Sequence, residues 1–189
     1  MPRAGLTAAD VVRAGAQIAD ELGYQHLTIG LVAQRLSIRA SSLYKYVDGL
    51  ADLQHRIATL AMTELGEAAR DAVAGLAGRD AIGALARTIR GYVTAHPGRY
   101  TATVGAAFTG DDDPLLKAST RVIELIAAVL RGYRIRDADM VHAIRAVRCT
   151  LHGFAMLQAT NAFQWSGDVD DSFEKLIEFI DGGLRGQRS

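Results

Sequence analysis

One cysteine and three prolines are all that the 189-residue chain holds of either type. A lone Cys149 cannot close an internal disulfide, which fits a reducing compartment. Few prolines leave room for long uninterrupted helices, and scarcely any stretch alternates apolar with polar residues as a half-buried strand would. Net charge is absent as well, because 21 Lys and Arg balance 21 Asp and Glu. A nucleic-acid partner must therefore be read from local charge, not from the total. No long hydrophobic run exists. The most apolar stretch, VIELIAAVL from Val122, carries Glu124 and falls well short of the roughly 20 residues that span a bilayer. The start of the chain has no basic segment followed by an apolar one, so neither a secretory leader nor a membrane partner is expected. The expected location is cytoplasmic.

Catalytic and metal-binding patterns are missing too. There is no G-x-S-x-G, no H-E-x-x-H, and no Cys–His pairing. Of the five histidines, His142 and His152 share a helical stretch but lie ten residues apart, about a right angle off a common face. No metal, no cofactor and no enzymatic activity are expected. GDDDP lacks the alternating spacing of a calcium loop and reads as a solvated turn with a helix cap. Cys149, mid-helix among apolar residues, reads as a buried small hydrophobe.

What is present is helical periodicity, and the expected fold class is all-α. Thr7 with Asp10 forms a capping-box pattern, Val11, Ala14, Ile18 and Leu22 repeat at helical spacing, and Gly23 follows as a stop. Thr28 caps a short helix with an apolar stripe of Ile29, Val32, Ala33 and Leu36. A third short helix begins after SIR. Longer helices are expected from about Asp52, from near Asp80 to the block at Pro97, from Tyr100 to Phe108, and from Pro114 to near Tyr133. Two more run from Asp137 or Asp139 to about Ala162, and from Asp170 or Asp171 to Gly182–Gly183. Three short helices before about residue 48 and longer ones after it divide the chain into residues 1–48 and 49–189.

Between Glu21 and Asp48 no acidic residue occurs, while Arg35, Arg39 and Lys45 do. Here the segment SIRASSLYKYV follows TIGLVAQRL, giving two short helices joined by a tight turn behind a first supporting helix. That is a helix-turn-helix plan. Leu36, Ile38, Leu43 and Val47 form its inward face. Outward it offers hydroxyls, a lysine and an arginine, donors suited to phosphates and base edges. Arg39, Ala40, Ser41 and Ser42 head the second of these helices, the part that enters a major groove. Tyr44, Lys45 and Tyr46 lie farther along, toward the DNA backbone. Arg39 is open to contacting a base, touching phosphate or simply lying exposed, and Thr28 is expected to reach phosphate through its cap.

Residues 7 to 54, centred on LTIGLVAQRLSIRASSLYKYVDGLADL, resemble the DNA-binding domain of the TetR family of bacterial transcriptional regulators. Leu27-Thr28, Ala33, Leu36, Leu43-Tyr44, Tyr46, Val47 and Leu53 carry the likeness. RAVRCTLHGFAMLQATNAF, DDSFEKLIEFIDGGL and HPGRY resemble the ligand-binding domain of a subgroup with an HGF signature, so the likeness covers nearly the whole chain. The resemblance implies a three-helix DNA-binding domain joined to a larger helical domain for effector binding and dimerisation. Many family members have Gly where Ser37 stands, a basic residue at Gly30 and Lys at Leu50, and the last two departures imply fewer phosphate contacts.

The implied function is a dimeric repressor released from a pseudo-palindromic operator by a small-molecule effector. An activator or architectural DNA binder without effector remains open, as does a helical adaptor or enzyme. Candidate effector-binding residues are Tyr92, Tyr100, Val104, Phe108, Val122, Ile126, Arg145, Cys149 and His152, aromatic walls with a few polar handles. The homodimer is expected to join through the last two helices, with Leu151, Phe154 and Leu157 meeting Phe173, Leu176, Ile177, Ile180 and Leu184.

Overall fold

A computed structural model describes residues 5–186, and among them it contains nine α-helices, one 3-10 turn and no strand. The helices are α1 (Ala8–Leu22), α2 (Ile29–Arg35), α3 (Ala40–Leu43), α4 (Leu50–Val73) and α5 (Gly78–Ala95). They continue as α6 (Pro97–Thr101), α7 (Pro114–Arg131), α8 (Asp137–Ala159) and α9 (Val169–Gly186), and the 3-10 turn spans Tyr24–His26. No described helix is long and apolar enough to cross a membrane. Packing divides the described chain into two compact units, residues 5–63 with 96–117, and residues 64–95 with 118–186. The expected functional boundary at residue 48 lies inside the first unit.

Local chemistry sets the start of the first unit. Thr7 Oγ1 accepts from the Asp10 N–H at 3.2 Å, and the Asp10 carboxylate accepts from the Thr7 N–H at 2.9 Å. Those bonds to Thr7, with help from Arg13, hold the Asp10 carboxyl down to about 2. Gly23 ends the helix at φ 93°, in the region where a side chain is strained. Val11 and Ile18 of α1, Val32 of α2, Leu43 of α3, and Leu53 and Ile57 of α4 form one buried core. Full burial stabilises by about 1.5–3 kcal/mol for each such side chain, which locks the short helices that could not stand alone. α6 closes on α1 so tightly that a Cβ on Gly98 would lie 1.8 Å from the Ala19 carbonyl oxygen.

The second unit packs α5 against α8 and α9. Ile82, Leu85, Ile89 and Val93 of α5 face inward, as do Val147, Leu151 and Ala155 of α8 and Phe173, Ile177, Ile180 and Leu184 of α9. Arg90 reinforces the layer from its edge. Its guanidinium lies 4.6 Å from the Phe173 ring centroid and donates to Gln158 at 2.6 Å and to Asp170. Tyr133 donates to Asp181 at 2.6 Å, and Arg185 donates to the same carboxylate at 2.8 Å. Burial alone would raise Asp181, but those two donors outweigh it and lower its pKa.

Several expectations are corrected. α6 covers Pro97–Thr101 instead of Tyr100 to Phe108, because Pro97 suits the first helical position, and Gly105 at φ 76° interrupts the chain soon after. α9 runs through Gly182 and Gly183 to Gly186, drawn onward by burial of Leu184 one turn past Ile180. Cys149 is exposed, not buried. It stands two residues past buried Val147, about 200° around the helix, so its face is the outer one. Asp113 is buried within GDDDP while Asp111 and Asp112 are exposed, so the turn is only partly solvated.

The stripe expected to meet a partner is largely used within one chain. Leu151, Phe173 and Ile177 are about 1% exposed or less, and Ile180 and Leu184 are buried with them. The Phe154 ring packs 5.0 Å from that of Phe173. Leu151, Phe173, Ile177, Ile180 and Leu184 are corrected as intersubunit residues, because their surface is already covered, while Phe154 is only half-buried. Leu176 is half-buried and Leu157 is exposed.

Candidate nucleic-acid interface

Thr28 fixes the start of α2, its Oγ1 accepting from the Leu31 N–H at 3.2 Å. The end of α2 is just as defined. The Ile38 N–H donates to the Ala33 carbonyl at 3.0 Å and the Ser37 N–H to the Gln34 carbonyl at 3.1 Å. These are the two bonds of a Schellman turn, with Ser37 at its left-handed position, φ 55°. The turn sends the chain into α3 with Arg39 as its cap residue. α3 is a single turn, and Leu43 and Val47 pin it to the core at 0% and 2% exposure.

With that face buried, the opposite face is set. Arg39, Ala40, Ser41, Tyr44 and Lys45 are exposed, Tyr44 by 61%, and Thr28 is exposed at the head of α2. Ser42 and Tyr46 are half-buried, and Tyr46 packs partly against the core. The structure thus gathers the expected DNA-facing residues on one short helix and its flanks, apart from Thr28.

The basic residues separate into two groups. Arg35 is engaged by Glu21, with Nη1 donating to Oε1 at 3.2 Å and a second bond alongside. The pairing lowers the Glu21 pKa and raises that of Arg35. Arg39 and Lys45 form no ion pair among the described residues. Arg56 is held by Asp52, whose other oxygen accepts from the Asp48 N–H. What faces outward is two uncompensated cations, hydroxyls and small side chains. Such a surface can neutralise phosphates and approach base edges.

The effector candidates are spread over both units. In the first, Tyr100 is buried while Val104 and Phe108 are exposed. In the second, Val122 and Ile126 are buried, His152 is half-buried, and Tyr92 donates to Glu64 at 2.6 Å. Arg145 and Cys149 lie on the outer face of α8, so they are corrected as interior pocket residues. The first unit instead holds an open groove of about 1010 Å³ between α1, the start of α4 and the segment after α6. Val104 alone among the nine candidates lines it. Val12, Tyr24, His55 and Leu60, which also line it, were not expected from the sequence. Nothing in their spacing marks a common site, because they come together only through packing. No group of three or more His, Cys, Asp or Glu side chains able to hold a metal occurs among the described residues.

Comparison with known proteins finds relatives over nearly the whole chain. Residues 82–180 match the family described as the tetracyclin repressor-like C-terminal domain. The chain is 30% identical over 185 residues to YobS, an HTH-type transcriptional regulator of Bacillus subtilis (strain 168), covering 97% of this chain and 95% of YobS. BioQ, solved with its double-stranded DNA operator, is 25% identical with a TM-score of 0.70, covering 96% of this chain and 99% of BioQ. A TetR variant from Acinetobacter baumannii AYE in complex with minocycline shares the fold at 19% identity and a TM-score of 0.75. That match covers 98% of this chain and 99% of the variant.

Proposed function

Because the chain belongs to the TetR family of transcriptional regulators, we propose that it is a dimeric repressor released from a pseudo-palindromic operator by a small molecule. It is a regulator and not an enzyme. The observation that carries the DNA-reading part is the pair Arg39 and Lys45, cations with no ion pair among the described residues, on a helix whose orientation a Schellman turn and a buried Leu43 fix. BioQ, similar over nearly its full length, is solved with its double-stranded DNA operator, which supports DNA binding by this chain. Residues 1–48 read DNA and 49–189 serve effector binding and self-association, in the cytoplasm.

Arg39, Ala40, Ser41 and Ser42 approach the groove floor. Tyr44, Lys45 and Tyr46, with Thr28, meet the backbone. Two copies related by a twofold axis would place their recognition helices about 34–36 Å apart, matching half-sites one helical turn apart. Leu157, Leu176 and Phe179, the last 79% exposed, replace the covered stripe as the self-association surface. An effector that prefers the conformation with another spacing lowers DNA affinity by shifting the population. Titrating the protein into labelled DNA from upstream of its own gene, at several salt concentrations, tests the proposal. Saturable, salt-sensitive binding that exceeds binding to scrambled DNA supports it, and equal binding to both contradicts it.

A further inference from the structure

We propose that the groove in the first unit is itself a binding site, and that it takes a neutral, mainly apolar small molecule. Its volume of about 1010 Å³ is at the upper end of the range typical of small-molecule sites. One wall is α1, another is α4 from Ala51 to Leu60, and the third is the segment from Ala102 to Pro114. The lining is chiefly apolar, with Val12, Leu60, Ala102, Val104, Ala106 and Pro114 among its surfaces.

Charge decides the ligand class. The ionisable side chains on the walls, other than Tyr24, are Arg13, Asp52, His55 and Arg56. Each already has a partner: Arg13 with Asp10, Arg56 with Asp52, and His55 with Asp113. No wall charge is left without a compensating partner, so the lining favours a neutral ligand over an ionic one. Tyr24 is different. Its pKa is raised by burial alone, with no hydrogen bond contributing. The phenol offers one hydrogen-bonding handle in the groove, and the Gln54 amide on the α4 wall offers another. A ligand with an apolar body and one or two neutral polar groups satisfies these walls.

The walls also connect the groove to the helix-turn-helix. α1 is its supporting helix, and α4 begins seven residues after α3 ends. The third wall is clamped at one end, where Asp113 accepts from the Thr109 and Leu115 N–H groups, both at 2.7 Å, and pairs with His55 of α4 at 2.9 Å. A ligand wedged between these elements changes the angle at which α3 is held. This consequence rests on the proposed DNA-reading role; the binding site does not.

Nile red, a neutral apolar dye, is the probe, titrated into the full chain without DNA and read by fluorescence. Ala9→Trp and Ala107→Trp fill the groove from exposed positions on two of its walls. The expected result is saturable binding to the native protein and at least about tenfold weaker binding to both variants, with unchanged circular dichroism. Wild-type affinity in the filled variants, or no binding to the native protein, overturns the site. A measurement needing no variant is a methyl NMR spectrum of the native protein with dye. Shifts centred on Val12, Leu60 and Val104 support the site, and shifts centred on Val122 and Ile126 overturn it. Because no DNA is present, failure here is separable from failure of the DNA-reading proposal.

Discussion

Arg99 holds Asp20 twice across 79 residues of sequence: its backbone N–H donates to one carboxylate oxygen and its Nε to the other, each at 2.8 Å. Both side chains are largely buried, at 13% exposure. The pair ties α6 to the end of α1, the helix that supports the recognition segment. Charge-assisted bonds of this kind contribute about 1.5–3 kcal/mol when one partner is removed. Arg99→Ala is expected to lower stability by about 2 kcal/mol in urea denaturation. An unchanged midpoint and slope would contradict the assignment.

Two glycines should respond in opposite directions to the same substitution. Gly98→Ala places a methyl 1.8 Å from the Ala19 carbonyl oxygen and 2.5 Å from the Asp20 nitrogen. Backbone cannot yield as a side chain can, so α6 must lift from α1, with an expected loss of about 2–3 kcal/mol. Gly91 sits inside α5 with open space around its Cβ position. Gly91→Ala is expected to stabilise by up to about 1 kcal/mol. Thermal melts of the two variants check both signs.

Local signals were legible in the sequence where a few neighbouring residues settle the matter. Thr7 with Asp10, Gly23, Thr28, and the inward Leu43 and Val47 are of this kind, because caps and periodicity act within one or two turns. Periodicity says that a face is apolar, not what covers it. Phe173, Ile177 and Leu184 therefore read as a partner surface, although α5 and α8 of the same chain cover them. Arg35 counted toward the local basic charge of the segment, although Glu21, fourteen residues away, engages it. The groove could not be read at all, since α1, α4 and the segment after α6 meet only in the folded unit.

Ser37 carries a backbone conformation, φ 55°, that glycine adopts more readily. Ser37→Gly relieves that strain while enlarging the entropy of the unfolded chain, and the first effect is the larger. The expected gain is about 0.5–1 kcal/mol, measurable by urea denaturation. A loss of stability would mean that the Ser37 side chain contributes more than its conformation costs.

Acid should destabilise the protein in two stages. Burial, followed by the nearby charge of Arg148, lowers the His152 pKa, so the unfolded chain takes up that proton first. Stability from neutral His152 is thus lost as pH falls below about 6.5. Burial alone would raise Asp113, but the Thr109 and Leu115 N–H groups and His55 outweigh it and hold the carboxyl well below the usual range. Its contribution is present above about pH 4 and lost as pH falls further. Melting temperature measured from pH 7 to pH 3 is expected to fall in both ranges. Asp113→Asn should start lower at pH 7, flatten the second stage and leave the first.

The central claim, that residues 37 to 47 form the DNA-reading element, is tested most directly by titrating Arg39→Ala and Lys45→Ala against operator and scrambled DNA at several salt concentrations. Lys45→Ala is expected to weaken binding to both DNAs alike and to make the salt slope shallower by about one for each phosphate it no longer neutralises. A base contact by Arg39 predicts that Arg39→Ala narrows the preference for operator, by about 1–3 kcal/mol for a bidentate contact, and a backbone contact predicts uniform weakening. Unaltered affinity, preference and salt slope in both variants would contradict the account and leave this segment a packing element.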